Sequence, residues 1–292
     1  MNDINIRKKL NLILFADDIM ILVIEEDNEK LSKNLQRSLN WVQDWCNANE
    51  LYISEEKTKY MIFDANMIHN SKLVLHRNKC NRSNCEETCT EIKRVKNFRY
   101  LGIVIDEKWS FHEHIDQTCK KLRQVLPKLY FVRNYLNIKN KKVIYDSWVK
   151  AHLLYGLEIY GWAKNKEIKK IQKLQNKIVK ILFSNRAFNS TSEIFKKTGI
   201  LRIKELQKYL IIIKNFYRMK NKREEKIRNK TYETKNTNIL QVMTKNKFGE
   251  RKQDFYIPKI FSDLPDFIWE LEKIGEIKKK VRSWILLERD KV

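Results

Sequence analysis

The sequence predicts an α+β protein that is mostly helical. Its 292 residues include only 6 Gly and 3 Pro, whereas average usage of about 7% Gly and 5% Pro would give several times more. Apolar residues recur at helical spacing between residues 112 and 220, while apolar runs typical of strands occur before residue 106. The composition therefore favours long helices and excludes collagen-like, Pro-rich and turn-dense all-β proteins.

The charge distribution predicts a polyanionic partner. The formal net charge is +24, yet residues 1–60 hold 8 basic and 11 acidic residues. Residues 164–230 hold 21 basic and 5 acidic residues. Compositional drift towards Lys would spread the charge evenly, so an acidic first part and a basic body indicate binding to an anion such as nucleic acid.

Residues 10–24 form an apolar run that contains Asp17 and Asp18. The run is too short for a membrane span, and each central Asp would cost roughly 2.5–3.5 kcal/mol at a bilayer centre. Two apolar halves separated by an Asp pair instead predict a buried β-hairpin with the carboxylates at its turn. We therefore expect no contact with a membrane.

The remaining elements follow from periodicity and turn signals. An amphipathic helix is predicted over 28–48, and residues 64–92 are polar and irregular. The predicted strands are 60–63, 73–75 and 98–105, and the predicted later helices are 112–134, 138–155, 164–183, 202–220 and 273–287.

Asp17 and Asp18 are the strongest chemical signal. Adjacent carboxylates within an apolar hairpin place two negative charges where a divalent cation would remove the cost of burying them, and Mg²⁺ takes carboxylate oxygens readily. Two-metal phosphoryl transfer requires such oxygens. The alternative is an ordinary Asp-Asp turn at the surface.

A series of short motifs follows along the chain. They are Phe15-Ala16-Asp17-Asp18, Leu51–Lys59, Phe98-Arg99-Tyr100-Leu101-Gly102, His114-Ile115, Leu154-Tyr155-Gly156, Thr198-Gly199-Ile200-Leu201 and Leu264-Pro265. In this order they resemble motifs C, D and E, the thumb and the C-terminal segment of LINE-type (non-LTR, jockey-like) retrotransposon reverse transcriptases. The resemblance covers nearly the whole chain and is weakest at 64–92 and 221–250.

The resemblance implies a fold and a domain division. Residues 1–111 would be a partial palm made of a hairpin, a helix and strands. Residues 112–220 would be a helical thumb and connector, 221–237 a polar linker, and 238–292 a small helical C-terminal tail. The family carries its fingers and motif A before motif C, so we expect this chain to lack both and to be inactive by itself. The hairpin would then have an open edge and an uncovered apolar face.

The resemblance also assigns roles to residues. Asp17 and Asp18 would bind the catalytic Mg²⁺ of the intact enzyme, with Ala16 beside the primer terminus. Lys57 would protonate the pyrophosphate leaving group, although an exposed lysine in a charged run is the simpler interpretation. The primer grip would comprise Phe98, Tyr100, Leu101 and Gly102; the same residues also fit a core strand with a bulge at the glycine.

The predicted helix over 164–183 has a basic face. Its apolar stripe is Ile168, Ile171, Leu174, Ile178 and Ile181, and its lysine row is Lys166, Lys170, Lys173, Lys177 and Lys180. A lysine row can follow a phosphate backbone without reading bases. A solvated face is the alternative, and a membrane-surface or calmodulin-like helix fits less well because the stripe is narrow.

A cluster of soft ligands occurs at His76, Cys80, Cys85 and Cys89. The spacing matches no common zinc finger, and the segment falls where the resembled family has a variable hairpin, so we do not expect zinc there. With Cys46 and Cys119 the five cysteines are odd in number, and no secretory leader is visible. We therefore expect an intracellular chain, in the nucleus or cytoplasm, with reduced thiols.

Two functions remain open. The first is part of an RNA-directed DNA polymerase whose partners are an RNA template, a DNA primer or the RNA/DNA hybrid, with dNTP as the substrate of the intact enzyme. The second is a non-catalytic, basic nucleic-acid-binding remnant. A basic helical scaffold without a nucleic-acid role is a remote third possibility.

Overall fold

The polypeptide divides into two units, Met1–Ser110 and Phe111–Val292. The computed structural model describes residues 11–63, 72–76, 80, 82, 85, 89–184, 190–228 and 253–289. Among these residues, strands occur in the first unit and the second unit is helical. The predicted class, mostly helical with small sheets, is confirmed.

The described part of the first unit combines one long helix with four two-stranded sheets. Its elements are β1 Asn11–Phe15, β2 Asp18–Leu22, α1 Asn28–Ala48, β3 Lys59–Tyr60, β4 Val74–Leu75, β5 Thr90–Glu91, β6 Lys93–Arg94, β7 Asn97–Tyr100 and β8 Ile103–Asp106. The pairs β1–β2, β4–β5 and β7–β8 are antiparallel, and β3–β6 is parallel. Of the strand predicted over 60–63, only Tyr60 lies in an observed strand, β3.

The β1–β2 hairpin forms as predicted but is not buried. Ile13 pairs with Met20, and the two share a face with Phe15 and Leu22. The exposed fractions of Ile13, Phe15 and Leu22 are 46%, 58% and 40%. The expectation of burial is therefore wrong, because within the described residues no element covers this face. The hairpin therefore has an exposed apolar face among the described residues.

Helix α1 occupies the predicted range. Asp27 caps its first turn by accepting a hydrogen bond from the Lys30 backbone N–H at 2.8 Å. Leu39, Val42 and Cys46 lie on its buried face. Leu39 packs against β4 in a small core, which Leu73, Leu75 and Ile92 complete. The 3.6-residue period of the sequence therefore identified both the helix and the face it buries.

Two glutamines of α1 hold the strand β4 and the residue after it. The Gln36 side chain accepts from the Val74 N–H at 2.8 Å and donates to the Val74 carbonyl at 2.7 Å. The Gln43 side chain makes the same pair of bonds with the backbone of His76. A side-chain amide has one donor side and one acceptor side, so each glutamine satisfies the backbone as a neighbouring strand would.

The segment predicted as one strand over 98–105 is a hairpin. β7 and β8 pair across a two-residue turn at Leu101 and Gly102, whose φ angles are 44° and 77°. Positive φ at both central positions is the geometry of a type I′ turn, which matches the twist of paired strands. The single-strand prediction was wrong because Gly102 marks a reversal of the chain and not a bulge.

The second unit is built from helices within its described ranges. They are α2 His112–Val132, α3 Ile138–Ile144, α4 Ala151–Leu154, α5 Leu157–Tyr160, α6 Asn165–Phe183, α7 Thr191–Thr198, α8 Ile203–Arg228, α9 Gln253–Ser262, α10 Asp266–Trp269 and α11 Ile274–Arg289, with a π-helical turn at Tyr145–Lys150 between α3 and α4. Each predicted helix is present, with ends shifted by a few residues or with an internal break.

Helix α6 lies at the centre of this unit. It packs against α2, α7 and α8, and Ile171 and Ile178 are fully buried. Gln175 is also fully buried, and its amide donates to the Tyr145 hydroxyl at 2.8 Å and to the Leu201 carbonyl at 2.9 Å. These bonds satisfy a polar group inside an apolar core and tie α6 to two neighbouring segments.

The segment predicted as a linker over 221–237 is helical where it is described. Residues 221–228 continue α8, because they contain neither Gly nor Pro and consist mainly of good helix formers. Arg223 anchors this end of α8 by an ion pair with Asp266 at 2.7 Å and by stacking over Trp269. Residues 229–237, and the tail residues 238–252, lie outside the described residues.

We expect the β1–β2 hairpin to open more readily than α6. An isolated two-stranded hairpin is marginally stable, whereas α6 buries its apolar stripe in the second unit. Hydrogen exchange on the whole chain should therefore give faster exchange for the amides of Leu12–Ile24 than for those of Ile171–Ile178. Equal or stronger protection of the hairpin would contradict the inference from its exposed face.

Candidate active site and nucleic-acid interface

The Asp pair lies at the tip of the β1–β2 hairpin. The turn residues are Ala16 and Asp17, and Asp18 begins β2 opposite Phe15. Ala16 has a φ of 51°, in the left-handed region that the first position of a primed hairpin turn requires. Asp17 and Asp18 are both exposed. The tight turn therefore presents two adjacent carboxylates to solvent.

The donor set at this tip fits a magnesium ion held in part by other ligands. Among the described residues, no third His, Cys, Asp or Glu joins Asp17 and Asp18 in a metal-binding cluster. Magnesium commonly uses one or two protein carboxylates and completes its shell with water and substrate phosphates. The two carboxylates suit that chemistry but give a weak site by themselves.

Lys57 lies in the turn between α1 and β3. The turn is closed by Thr58, whose backbone N–H and hydroxyl both donate to the Ser54 carbonyl, at 2.9 and 2.7 Å. Glu55 in the same turn accepts a hydrogen bond from the Thr90 hydroxyl at 2.6 Å. Lys57 itself is exposed. The backbone around the predicted proton donor is thus fixed while its side chain faces solvent.

The four residues predicted as a primer grip lie on the β7–β8 hairpin. Phe98 and Leu101 are 38% and 36% exposed, and Gly102 is exposed as well, so three of the four predicted residues face solvent. The buried hydroxyl of Tyr100 has no hydrogen-bond partner among the described residues. The left-handed φ of Leu101 costs on the order of 1–2 kcal/mol, since only glycine adopts it without strain. A strained, exposed turn is a common property of functional sites.

The lysine row on α6 divides into two groups. Lys166, Lys173, Lys177 and Lys180 are exposed, and within the described residues none of them makes an ion pair. Lys169, which the sequence analysis did not include, is also exposed. The apolar stripe of the same helix, Ile168 to Ile181, is buried. The helical spacing of four residues between Lys169 and Lys173 is the sequence signal that identifies Lys169 as a member of the row.

Lys170 is engaged inside the second unit. Its ammonium lies 2.8 Å from Glu167 and 3.3 Å from Asp116 of α2. The hydrogen bond that the Lys170 ammonium donates to Glu167 raises the pKa of Lys170. Burial would raise the pKa of Glu167, but hydrogen bonds from Lys170 and His112 outweigh it and lower that pKa. The group is therefore an ion-pair network between α2 and α6, and Lys170 differs from the other lysines of the row.

The four soft ligands of the first unit converge. His76 Nδ1 lies 3.7 Å from the Cys80 Sγ and 3.3 Å from the Cys85 Sγ, and the two sulfur atoms are 3.5 Å apart. Cys89 completes the group, with all four ligand atoms within 4.8 Å of one another. A hydrogen bond with Cys89 raises the pKa of the Cys85 thiol to about 12. The structure thus brings together four potential ligand atoms that the sequence spacing did not connect.

Comparison with known proteins finds a family match for the first unit. Residues 1–105 match the family model described as reverse transcriptase (RNA-dependent DNA polymerase). The chain is 24% identical over 183 residues to a probable RNA-directed DNA polymerase from transposon X-element of Drosophila melanogaster. The chain is similar to the reverse transcriptases of non-LTR retrotransposons. The resemblance drawn from the motifs is therefore confirmed.

Two further relatives of this reverse transcriptase group support the relationship. The RNA-directed DNA polymerase from mobile element jockey of Drosophila melanogaster is 27% identical over 57% of this chain and 17% of its own length. The Pol polyprotein from type-1 retrotransposable element R1 of Nasonia vitripennis is 27% identical over 57% of this chain and 48% of its own length.

The match covers only part of the related polymerases. The X-element alignment covers 62% of this chain but 19% of the relative, so the chain spans about a fifth of that polymerase. No solved structure matches the chain. Among the helices of the described ranges, none combines the length and the apolar character that crossing a membrane requires.

Proposed function

We propose that the chain is the late palm and thumb of an RNA-directed DNA polymerase that copies element RNA into DNA. The observation that carries the proposal is the position of Asp17 and Asp18. They project from a tight hairpin turn, inside the segment that matches the reverse transcriptase family. Adjacent, accessible carboxylates at the turn of a hairpin are suited to hold Mg²⁺ at a reacting phosphate.

Bound Mg²⁺ would supply charge neutralisation at the transferred phosphoryl group. The residues of this chain would act around it. Asp17 and Asp18 would provide oxygen ligands, and Lys57 would give a proton to the leaving pyrophosphate. The exposed hairpin turn at Leu101 and Gly102 would position the primer end, because a small displacement of an attacking hydroxyl lowers the rate steeply.

The second unit would contribute the nucleic-acid contacts. Lys166, Lys173, Lys177 and Lys180 are exposed on one helix whose opposite side is buried. Such a row suits the phosphates of an RNA/DNA hybrid and gives little base preference. The same face would also serve a non-catalytic nucleic-acid-binding remnant, so binding by itself does not separate the two functions.

We expect the isolated 292-residue chain to bind an RNA/DNA hybrid but to make no DNA on an RNA template above background. Two metal ions need more carboxylate oxygens than Asp17 and Asp18 supply, and the described residues add no third ligand. Primer extension on a defined template measures this directly. Template-dependent incorporation of nucleotides that disappears in Asp17→Ala would overturn the expectation.

The polymerase assignment itself needs a longer polypeptide. In a protein that carries this chain behind the earlier segments of a related polymerase, Asp17→Asn should reduce DNA synthesis by at least about 100-fold, since it removes a charged ligand of a catalytic metal. The matched control is Glu26→Gln, because Glu26 is exposed and lies outside the hairpin. Asp27→Asn is not used as the control because Asp27 caps α1. Equal activity of Asp17→Asn and Glu26→Gln would refute the proposal.

A further inference from the structure

We propose that His76, Cys80, Cys85 and Cys89 form a tetrahedral zinc site in the first unit. The proposed ligands are the Nδ1 atom of His76 and the three cysteine Sγ atoms. Zinc in closed structural sites takes four ligands of this kind. The site does not include Asp17 or Asp18, and the proposal does not depend on whether the chain has polymerase activity.

The distances between the ligand atoms fit the edges of a tetrahedron around zinc. Bond lengths of about 2.3 Å to sulfur and about 2.0–2.1 Å to nitrogen give edges of about 3.8 Å between sulfurs and about 3.6 Å between sulfur and nitrogen. The two sulfur–nitrogen distances from His76 are 3.7 and 3.3 Å, and the Cys80–Cys85 sulfur distance is 3.5 Å. Small shifts would therefore complete the coordination.

The pairing of β4 with β5 places two of the ligands opposite each other. Leu75 pairs with Thr90 in an antiparallel ladder. One step further along, His76 follows β4 and comes opposite Cys89, which precedes β5. The Leu73 carbonyl accepts from the Ile92 N–H at 2.8 Å, so the His76–Cys89 position is one without ladder hydrogen bonds. Side chains approach most closely at such positions.

Contacts with α1 hold the ligand-bearing segment in place. Gln43 bonds both backbone groups of His76, which is buried. Arg82, which lies between Cys80 and Cys85 in the sequence, makes a two-pronged ion pair with Asp44, the residue after Gln43 on α1. Partners outside the ligand shell that fix its backbone are typical of metal sites.

The chemistry of the donors selects zinc over the magnesium that the Asp pair suits. Thiolates and imidazole are soft or borderline ligands, and magnesium prefers oxygen. All four positions are supplied by protein side chains, so no site is left for a reactive water. We therefore infer a structural role, in which zinc stabilises the β4–β5 hairpin against α1.

Metal content of the whole purified chain tests the proposal without any variant. We expect one zinc per chain, and X-ray absorption should give three sulfur ligands at about 2.3 Å and one nitrogen at about 2.0–2.1 Å. Cobalt substitution should produce the visible absorption of tetrahedral thiolate-bound Co²⁺. A chain that remains metal-free after refolding with zinc, or a Cys80–Cys85 disulfide that persists under reducing conditions, would overturn the proposal.

Substitutions assign the ligands. Cys85→Ser should weaken zinc binding by more than the roughly 10- to 100-fold that loss of an outer partner causes, whereas His76→Cys should retain one zinc. Cys119→Ala is the matched control, because that cysteine is buried in the second unit and lies outside the cluster. Equal zinc affinity of Cys85→Ser and Cys119→Ala would refute the assignment.

Discussion

Replacing Arg289 by alanine should lower the free energy of unfolding by about 3–5 kcal/mol, the range for removing one partner of a buried ion pair. The Arg289 side chain is 7% exposed and pairs with Glu205. It also donates to the carbonyls of Phe195 at 3.1 Å and Ile200 at 2.8 Å. The substitution would remove the donor to the two carbonyls and the cationic partner of Glu205, whose carboxylate would keep a hydrogen bond from the Arg202 backbone N–H at 2.8 Å. For a unit of this size, a decrease in Tm of roughly 6–20 °C should follow.

A variant on the same helix provides the control for this loss. Lys279 is exposed on α11, so Lys279→Ala should change the free energy of unfolding by no more than about 0.5 kcal/mol. Arg289→Lys should fall between the two, because an ammonium cannot form the fork of bonds that the guanidinium makes. Thermal unfolding of the three variants measures these differences in stability. An effect of Arg289→Ala as small as that of Lys279→Ala would show that the ion pair contributes no stability.

Changing Lys173, Lys177 and Lys180 to glutamine should flatten the salt dependence of nucleic-acid binding. Each lost phosphate contact reduces the slope of log affinity against log salt by about 0.9 on B-form duplex, so three should reduce it by roughly two to three units. The three side chains are exposed on one face of α6. Salt titrations on a single duplex measure the slope, and the fold of the variant is checked by circular dichroism.

Two further variants make the result specific. The triple change of Lys278, Lys279 and Lys280 removes the same charge from exposed positions on α11 and should leave the slope nearly unchanged. Lys170→Gln should also preserve the slope while destabilising the second unit, since Lys170 is bound to Glu167 and Asp116. If all three variants lose slope equally, the positive charge acts diffusely and α6 has no special role.

The local periodicity of apolar residues was sufficient to predict where the helices lie. The predicted range 28–48 is that of α1, and the predicted 164–183 differs from α6 by one residue at its start. In both helices the apolar stripe that defines the period is also the face that packs. The stripe does not account for Gln175 and Glu167, which are also buried. They bond to Tyr145 and His112, partners that lie far away in the sequence.

Strand geometry was harder to predict. The largely apolar segment 98–105 has the same pattern whether it forms one strand or two strands with a reversal, and only Gly102 distinguishes the two. The turn at Ala16 and Asp17 was found because a charged pair interrupts its apolar run. Burial of that hairpin could not be read from its composition, because burial depends on which other elements cover it.

Some candidate functional residues could be predicted from the local pattern, whereas others depend on contacts with other elements. Lys173 and Lys177 are exposed as a helical projection predicts, but Lys170 is paired through Asp116, which belongs to another helix. The soft-ligand group was visible as a set of residues, yet its spacing carried little information. Its convergence depends on the β4–β5 register and on contacts with α1, which no local motif encodes.

The glutamines of α1 have a consequence for how the protein behaves among other molecules. Leu73 and Leu75 direct their backbone groups towards β5, and Val74 and His76 direct theirs towards Gln36 and Gln43. β4 therefore offers no row of open backbone groups on either side. Unpaired strands recruit strands from other chains and promote aggregation, so two amide side chains protect this small sheet from intermolecular growth without the addition of another strand.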